Sequence, residues 1–256
     1  MTTTRIQQLF VNSKAFVAYL TAGDGGIKFT LDAALALIDG GINMLEIGIP
    51  FSDPIADGPI IQRASARALN AGTKLKDILW LIHQIRKHSD IPLILFSYYN
   101  PILSSLNTDF LQKAKIAGVD GLLIVDCPLE ESQFIRQQCN QHNLDIIYII
   151  TTNTAINRIQ LINNYAQGCL YYACRKGTTG VHNQLPLNLR EKIQVIKSIV
   201  NLPVIVGFGI TNKNMVSEIL QYSDGVVIGS RLIQELENGI SLSALSKLVQ
   251  SIYSAK

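Results

Sequence analysis

A glutamate inside an apolar run is the first feature of this sequence with chemistry in it. In Asn43-Met44-Leu45-Glu46-Ile47-Gly48, Glu46 shares a face with Met44 and Gly48 if the run is a strand. Turned toward a closed interior, its carboxyl loses water. Its pKa then rises toward the range where a group both gives and takes protons near neutrality. The alternative is that Glu46 pairs with a basic side chain or faces a layer of helices. The stretch Pro50-Phe51-Ser52-Asp53-Pro54-Ile55-Ala56-Asp57-Gly58-Pro59 adds two carboxylates in a loop stiffened by three prolines. A second acid beside Glu46 suggests two groups with separated pKa values dividing proton work. Asp-Gly-Pro is also ordinary helix-start chemistry, so Asp57 reads equally well as a cap, and Asp53 is the weaker candidate.

Glycine supplies a second signal, because backbone N–H groups freed at a helix start hold anions. Three segments qualify: Gly207-Phe208-Gly209, Gly229-Ser230 and Gly177-Thr178-Thr179-Gly180. Each pair alone is a tight turn, but their joint placement after consecutive apolar runs points to phosphate. Tyr19, Tyr98-Tyr99, Tyr171 and Phe208 could line a flat apolar pocket or simply pack a core. Lys176 could form a Schiff base, although its Gly/Thr surroundings favour a solvated lysine. His83, His88, His142 and His182 show no H-x-H pattern, so no metal centre is expected.

These residues need elements to position them. Eight short apolar runs recur: 16–20, 43–47, 93–97, 121–125, 145–150, 169–173, 203–206 and 225–228. Each is followed by apolar residues at helical spacing, such as Leu31, Ala34, Leu35 and Ile38, then Leu79, Ile82 and Ile85, with Arg86 beside them. Most runs lack apolar/polar alternation, as parallel strands covered on both faces do. Eight βα units without a Ser/Pro-rich linker predict a single (β/α)8 barrel over residues 1–256. Three departures from the repeat stand out: an amphipathic piece at 5–11 that could plug the barrel floor, an insertion at 48–74 with an extra helix over about 59–71, and a Gly/Thr/Asn-rich loop at 175–189, a candidate lid. A last helix is expected over 242–252.

Composition narrows the function classes. With 48% hydrophobic residues in 256, the chain can bury a large core. Lys+Arg 22 against Asp+Glu 19 gives +3, and the basic residues are scattered, so nucleic acid and anionic membrane are not expected partners. No apolar run reaches the roughly 18 residues that span a bilayer, and no charged-then-apolar leader begins the chain. The four cysteines show no C-x-x-C pairing and read as reduced thiols of an intracellular protein.

The residues then resemble a family. Leu45-Glu46-Ile47-Gly48-Ile49-Pro50-Phe51-Ser52-Asp53-Pro54-Ile55-Ala56-Asp57-Gly58-Pro59-Ile60-Ile61-Gln62 closely resembles the signature of the tryptophan synthase α subunit. Tyr98-Tyr99-Asn100-Pro101, Val125-Asp126-Cys127-Pro128-Leu129-Glu130-Glu131, Gly177-Thr178-Thr179-Gly180 and Gly207-Phe208-Gly209-Ile210 extend the likeness along nearly the whole chain.

The resemblance implies a barrel with extra helices that cleaves indole-3-glycerol phosphate to indole and glyceraldehyde 3-phosphate. Indole would pass to a β subunit in an α2β2 assembly. It makes Glu46 the general acid/base and Asp57 the acceptor of the indole N–H. Gly180, Gly209, Gly229 and Ser230 would hold phosphate, with Phe208 close by. Tyr171 would lie near the carboxylates, Tyr19 and Tyr98 in the substrate pocket, and Thr179 would close over Asp57. The partner would dock on Pro50, Asp53, Asn100 and Pro101. Pyridoxal phosphate would belong to that partner, and none is expected here. The implied location is cytoplasmic, or the stroma of a plastid that encodes its own copy. Thr178, Cys174, Gly25 and Tyr19 stand where valine, serine, proline and phenylalanine are common in the family. A lysine-dependent aldolase using Lys176 and a non-catalytic binding subunit remain the rival readings.

Overall fold

The apolar runs become strands that pair in chain order. The computed structural model describes residues 3–106, 109–175, 177, 180, 184–207 and 209–253. The chain opens with α1 (Arg5–Asn12), β1 (Ala15–Thr21), α2 (Ile27–Asp39), β2 (Met44–Gly48), α3 (Pro59–Asn70) and α4 (Leu75–Arg86). It continues through β3 (Leu93–Ser97), α5 (Tyr99–Ser105), α6 (Phe110–Ala117), β4 (Gly121–Ile124), α7 (Gln133–Gln141), β5 (Asp145–Thr151) and α8 (Ile156–Asn163). It ends with β6 (Leu170–Ala173), α9 (Leu189–Ile199), β7 (Val204–Gly207), α10 (Lys213–Ile219), β8 (Gly225–Ile228), α11 (Ser230–Glu237) and α12 (Leu242–Ile252).

All neighbouring strands are parallel, and β8 returns to β1 with Phe16 opposite Val226, closing the barrel. Seven of the eight strands are buried at every position, and β5 at all but Ile149 and Thr151, which explains the missing alternation. Among the described residues no helix is long and apolar enough to cross a membrane. The four cysteines are buried, and none of them forms a disulfide.

The predicted floor plug is α1. Its start is a capping box: Gln7 N–H donates to Thr4 Oγ1, and Thr4 N–H donates back to Gln7 Oε1 at 3.0 Å. Ile6 is fully buried, and a Cβ added at Gly121 or Gly168 would come within 3.2 or 3.1 Å of it. Around it the floor charges are paired. Asp120 accepts from Arg5 at 3.0 Å, from Arg86 at 2.8 Å and from the Leu93 N–H at 2.9 Å, while Thr4 Oγ1 donates to Asp145 at 2.9 Å.

One element differs from the sequence expectation. After β3, Tyr98 is the N-cap of α5, a helix beyond those the repeat predicts. Its first N–H, from Tyr99, donates to Asp126 Oδ1 at 2.6 Å, so the helix start is satisfied by a carboxylate 27 residues away that local pattern cannot reveal. The α2 stripe also turns slightly: its fully buried residues are Thr30, Ala33, Ala34 and Leu37, while Leu31 and Ile38 pack at the margin.

Ile6→Ala should lower unfolding free energy by about 2–5 kcal/mol, read from the urea midpoint, because it empties a site closed on all sides. Chemistry at the opposite end should be unchanged in the folded variant.

Candidate active site

At the carboxyl ends of the strands, one pocket is lined by Tyr19, Glu46, Asp57, Phe96, Tyr171, Gly180, Gly209, Gly229 and Ser230, with Ile61, Ile210 and Val227 completing its walls. This is the end of a (β/α)8 barrel where active sites form. Both sequence signals, the carboxylates and the glycines, therefore converge on one cavity.

Strand register places Glu46 directly beside Tyr19 on the inner wall. Glu46 is 2% exposed, and burial alone raises its carboxyl from an ordinary 4.5 to about 8. The interior reading of Glu46 holds.

Asp57 is 4% exposed. Burial raises it to about 6, and the hydrogen bond from Tyr98 opposes the rise. The capping role falls away: the N-cap of α3 is Gly58, with Pro59 as first helical residue, and the Asp57 carboxylate accepts from Tyr98 Oη at 3.0 Å instead. Tyr98 Oη in turn accepts the Ala56 N–H at 2.9 Å, and Gln62 Nε2 donates to the Asp57 carbonyl at 2.7 Å. Near pH 7, Glu46 thus keeps its proton while Asp57 is mostly ionised. Gln62 was not a candidate from the sequence, although it sits five residues on, one helical turn into α3.

Two tyrosines lie flat across strand ends that only glycine leaves open. A Cβ on Gly48 would fall 2.1 Å from Tyr19 Oη, and one on Gly207 would fall 1.9 Å from Tyr171 Oη. Tyr19 also accepts from Thr21 Oγ1 at 3.3 Å and meets Phe96 edge-on at 5.2 Å. These rings exclude water from the carboxylates, and their own hydroxyls are pushed upward, chiefly by burial. Phe96, Ile61, Ile210 and Val227 were missed because an apolar wall residue and a core residue look alike in sequence.

At the other end of the pocket, Gly209 adopts φ +80°, and Gly229 precedes Ser230 at the start of α11 without a side-chain cap. Ser230 is 8% exposed. This arrangement leaves the first amides of α11 available to an anion. Thr179, Phe208, Lys176, Thr178 and His182 lie outside the described residues.

The remaining predicted positions sit on the rim. Asp53 and Asn100 are exposed and Pro101 is half-buried, but Pro50 is buried. Ile55 is 69% and Leu103 46% exposed between them, two apolar side chains that the sequence did not single out.

The family model for the tryptophan synthase alpha chain matches residues 7–254. The chain belongs to the tryptophan synthase alpha chain family. The tryptophan synthase alpha chain of Coxiella burnetii (strain CbuK_Q154) is 50% identical, over 97% of this chain and 96% of its own. The solved tryptophan synthase subunit alpha from Legionella pneumophila superposes with a TM-score of 0.88 at 35% identity, covering 98% and 97% of the two chains. A Mycobacterium tuberculosis tryptophan synthase structure gives 0.90 at 28% identity, covering 98% and 97%. As a tryptophan synthase alpha chain, the protein is a lyase that cleaves indole-3-glycerol phosphate in tryptophan biosynthesis.

The buried carboxyls also set a pH dependence of stability. Both pKa values are higher folded than unfolded, so the native state binds more protons between the two values, and stability falls as pH rises through that window. For Glu46 the window runs from 4.5 to about 8. Glu46→Gln should therefore unfold at higher urea than wild type at pH 8.5, with the gap closing toward pH 4.5. A gap independent of pH would contradict the assignment of the raised carboxyl to Glu46.

Proposed function

We propose that Glu46 and Asp57 divide the proton work of the cleavage. The observation that carries this is that two buried carboxyls line one pocket, with burial raising Glu46 further than Asp57. Glu46, protonated near neutrality, delivers its proton to the indole carbon that bears the glycerol chain. Asp57, as a carboxylate, accepts the indole N–H and stabilises the positive charge that develops on that nitrogen. The Glu46 carboxylate then takes the proton of the glycerol hydroxyl next to the ring. That oxygen becomes the aldehyde, the carbon–carbon bond breaks, and its electron pair returns to the ring. Indole and glyceraldehyde 3-phosphate leave with the proton count restored.

Each wall has a part in this reading. Tyr98 is a positioning residue, since its hydroxyl, itself held by the Ala56 N–H, donates to Asp57 Oδ2. Tyr19, Phe96 and Tyr171 sandwich the flat ring. Backbone at Gly180, Gly209, Gly229 and Ser230 holds the phosphate, with Phe208 and Thr179 completing that end and the lid by family resemblance. The proposal needs no cofactor in this chain; pyridoxal phosphate belongs to the beta subunit.

Glu46→Gln should lower indole release by about 10²–10⁴-fold while the variant still binds substrate, measured by steady-state kinetics and isothermal titration. In wild type, kcat/KM should fall on the alkaline side with an apparent pKa near 8, as Glu46 loses the proton it must donate. An unchanged rate in Glu46→Gln would leave only a role in binding.

Members of this family pair with a beta subunit, and we place that contact on the rim in an α2β2 assembly. Asp53, Asn100 and Pro101 offer polar and stiff surface, Ile55 and Leu103 the apolar part, and Pro50 acts from beneath by stiffening the loop. Ile55→Asp combined with Leu103→Asp should weaken association with a tryptophan synthase beta subunit by tenfold or more, roughly the cost of removing two apolar anchors. Indole release by the chain alone should stay at the wild-type rate.

A further inference from the structure

The two ends of the pocket are carried by different helices. Asp57 lies two residues before α3, and Ser230 is the first residue of α11. Both helices run away from the pocket, and at their far side a network of arginines joins them. Arg63 forks onto Glu237, the last residue of α11, with Nε at 2.8 Å and Nη2 at 2.6 Å. Arg67, one turn on, gives Nη1 to Glu237 at 2.6 Å and forks onto Asp24 with Nε at 2.7 Å and Nη2 at 2.8 Å. Two like charges at i, i+4 repel unless they share an acceptor, and here Glu237 is that acceptor. The paired guanidinia hold its carboxyl down at about 2, so Glu237 stays ionised near neutrality.

Asp24 is a fixed post rather than a loose surface acid. It is 11% exposed and stands in the loop after β1, the strand that carries Tyr19. Gly23 and Gly25 flank it at φ +85° and +73°, and the Gly23 N–H donates to Thr30 Oγ1 at 3.0 Å. A Cβ on Gly23 would meet Thr73 Oγ1 at 2.0 Å, so this loop is clamped against the chain that leaves α3. The network therefore ties three segments together: the loop after β1, α3 behind Asp57, and α11 behind Ser230.

We propose that Arg67 is a positioning residue that sets the span between the carboxylate end and the phosphate end of the pocket. This rests on the assignment of Asp57 and Ser230 to those two ends. Part-exposed ion pairs contribute little to folding stability, so the network's main effect is geometric. A substrate held at both ends tolerates little error between them, and misplacement on the order of 1 Å can reduce rate far more than affinity.

The test compares Arg67→Met, Arg67→Lys, Glu237→Gln and the Arg67→Met/Glu237→Gln pair in the full chain. Indole release gives kcat and KM, inhibition by glycerol 3-phosphate reads the phosphate end alone, and the thermal midpoint reads folding. Arg67→Met should lower kcat about tenfold, with KM and the glycerol 3-phosphate inhibition constant within about twofold of wild type. The paired variant should lose less than the product of the single losses, and Arg67→Lys, which keeps the charge but not the fork, should recover part of kcat. Wild-type kcat in folded Arg67→Met overturns the inference, as does a loss matched by the unfolded fraction. If Arg67→Met does not fold, Arg63→Met, which leaves the Asp24 fork intact, should still lower kcat, by about threefold; no loss there overturns it equally. Asp57→Asn separates the two layers: if it cleaves at the wild-type rate the site assignment fails, whereas an inactive Asp57→Asn beside a fully active Arg67→Met fails the span inference alone.

Discussion

Keeping water away from Glu46 is the constraint on which the rest of this structure depends. A carboxyl near pKa 8 exists only where its charged form has neither solvent nor a cation to stabilise it. The closed eight-stranded sheet removes solvent from the sides, α1 removes it from below, and Tyr19 and Tyr171 remove it from above. Each ring needs room over a strand end, and Gly48 and Gly207 provide it. Gly48, on the Glu46 face of β2, and Gly207, which read as a turn or phosphate residue, are thus also what permits a dry carboxyl.

The barrel floor compensates its most buried carboxylate with arginines, and the top does not. At the floor, Asp120 receives two arginines and a backbone amide, and Asp145 receives Thr4. The Asp120 charge is thus compensated, whereas at Asp145 burial outweighs the Thr4 bond and holds the carboxyl above its ordinary value. At the top, burial dominates at both Glu46 and Asp57 and is opposed only by Tyr98. That arrangement works against stability at neutral pH and in favour of proton transfer. The imbalance is tolerable because the floor and the continuous apolar layer between strands and helices supply the stability that the top gives up.

Much of this was legible in the residues. Eight β-branched runs, the extra helices at both ends and after β2, and the odd placement of Glu46 follow from periodicity and from one polar residue in an apolar strand. The joint position of the glycine pairs followed from the barrel topology. What stayed hidden depends on distant partners. The start of α5 rests on Asp126, the orientation of Asp57 on Tyr98 and Gln62, and the burial of Thr30 on a bond from Gly23. Pocket walls such as Phe96 and Val227 were invisible for another reason: their residue types are those of any barrel core, and only closure of the strands shows which of them face the cavity.

The rim and the chemistry share backbone, which gives a physical route between them. Ile55 precedes Ala56, whose N–H holds Tyr98 Oη, and that same hydroxyl holds Asp57. Phe51 packs against the Tyr98 ring at 5.1 Å, and Leu103 extends from the helix that Tyr98 begins. A protein docked on Ile55 and Leu103 therefore presses on the two segments whose contact orients the Asp57 carboxylate. A shift between them of a few tenths of an ångström lengthens or shortens the Tyr98–Asp57 hydrogen bond, which is the one interaction opposing the desolvation of Asp57. Docking can in this way change both the aim and the charge of Asp57 without touching substrate. The route is short, because a single hydroxyl is shared by a loop and a helix start.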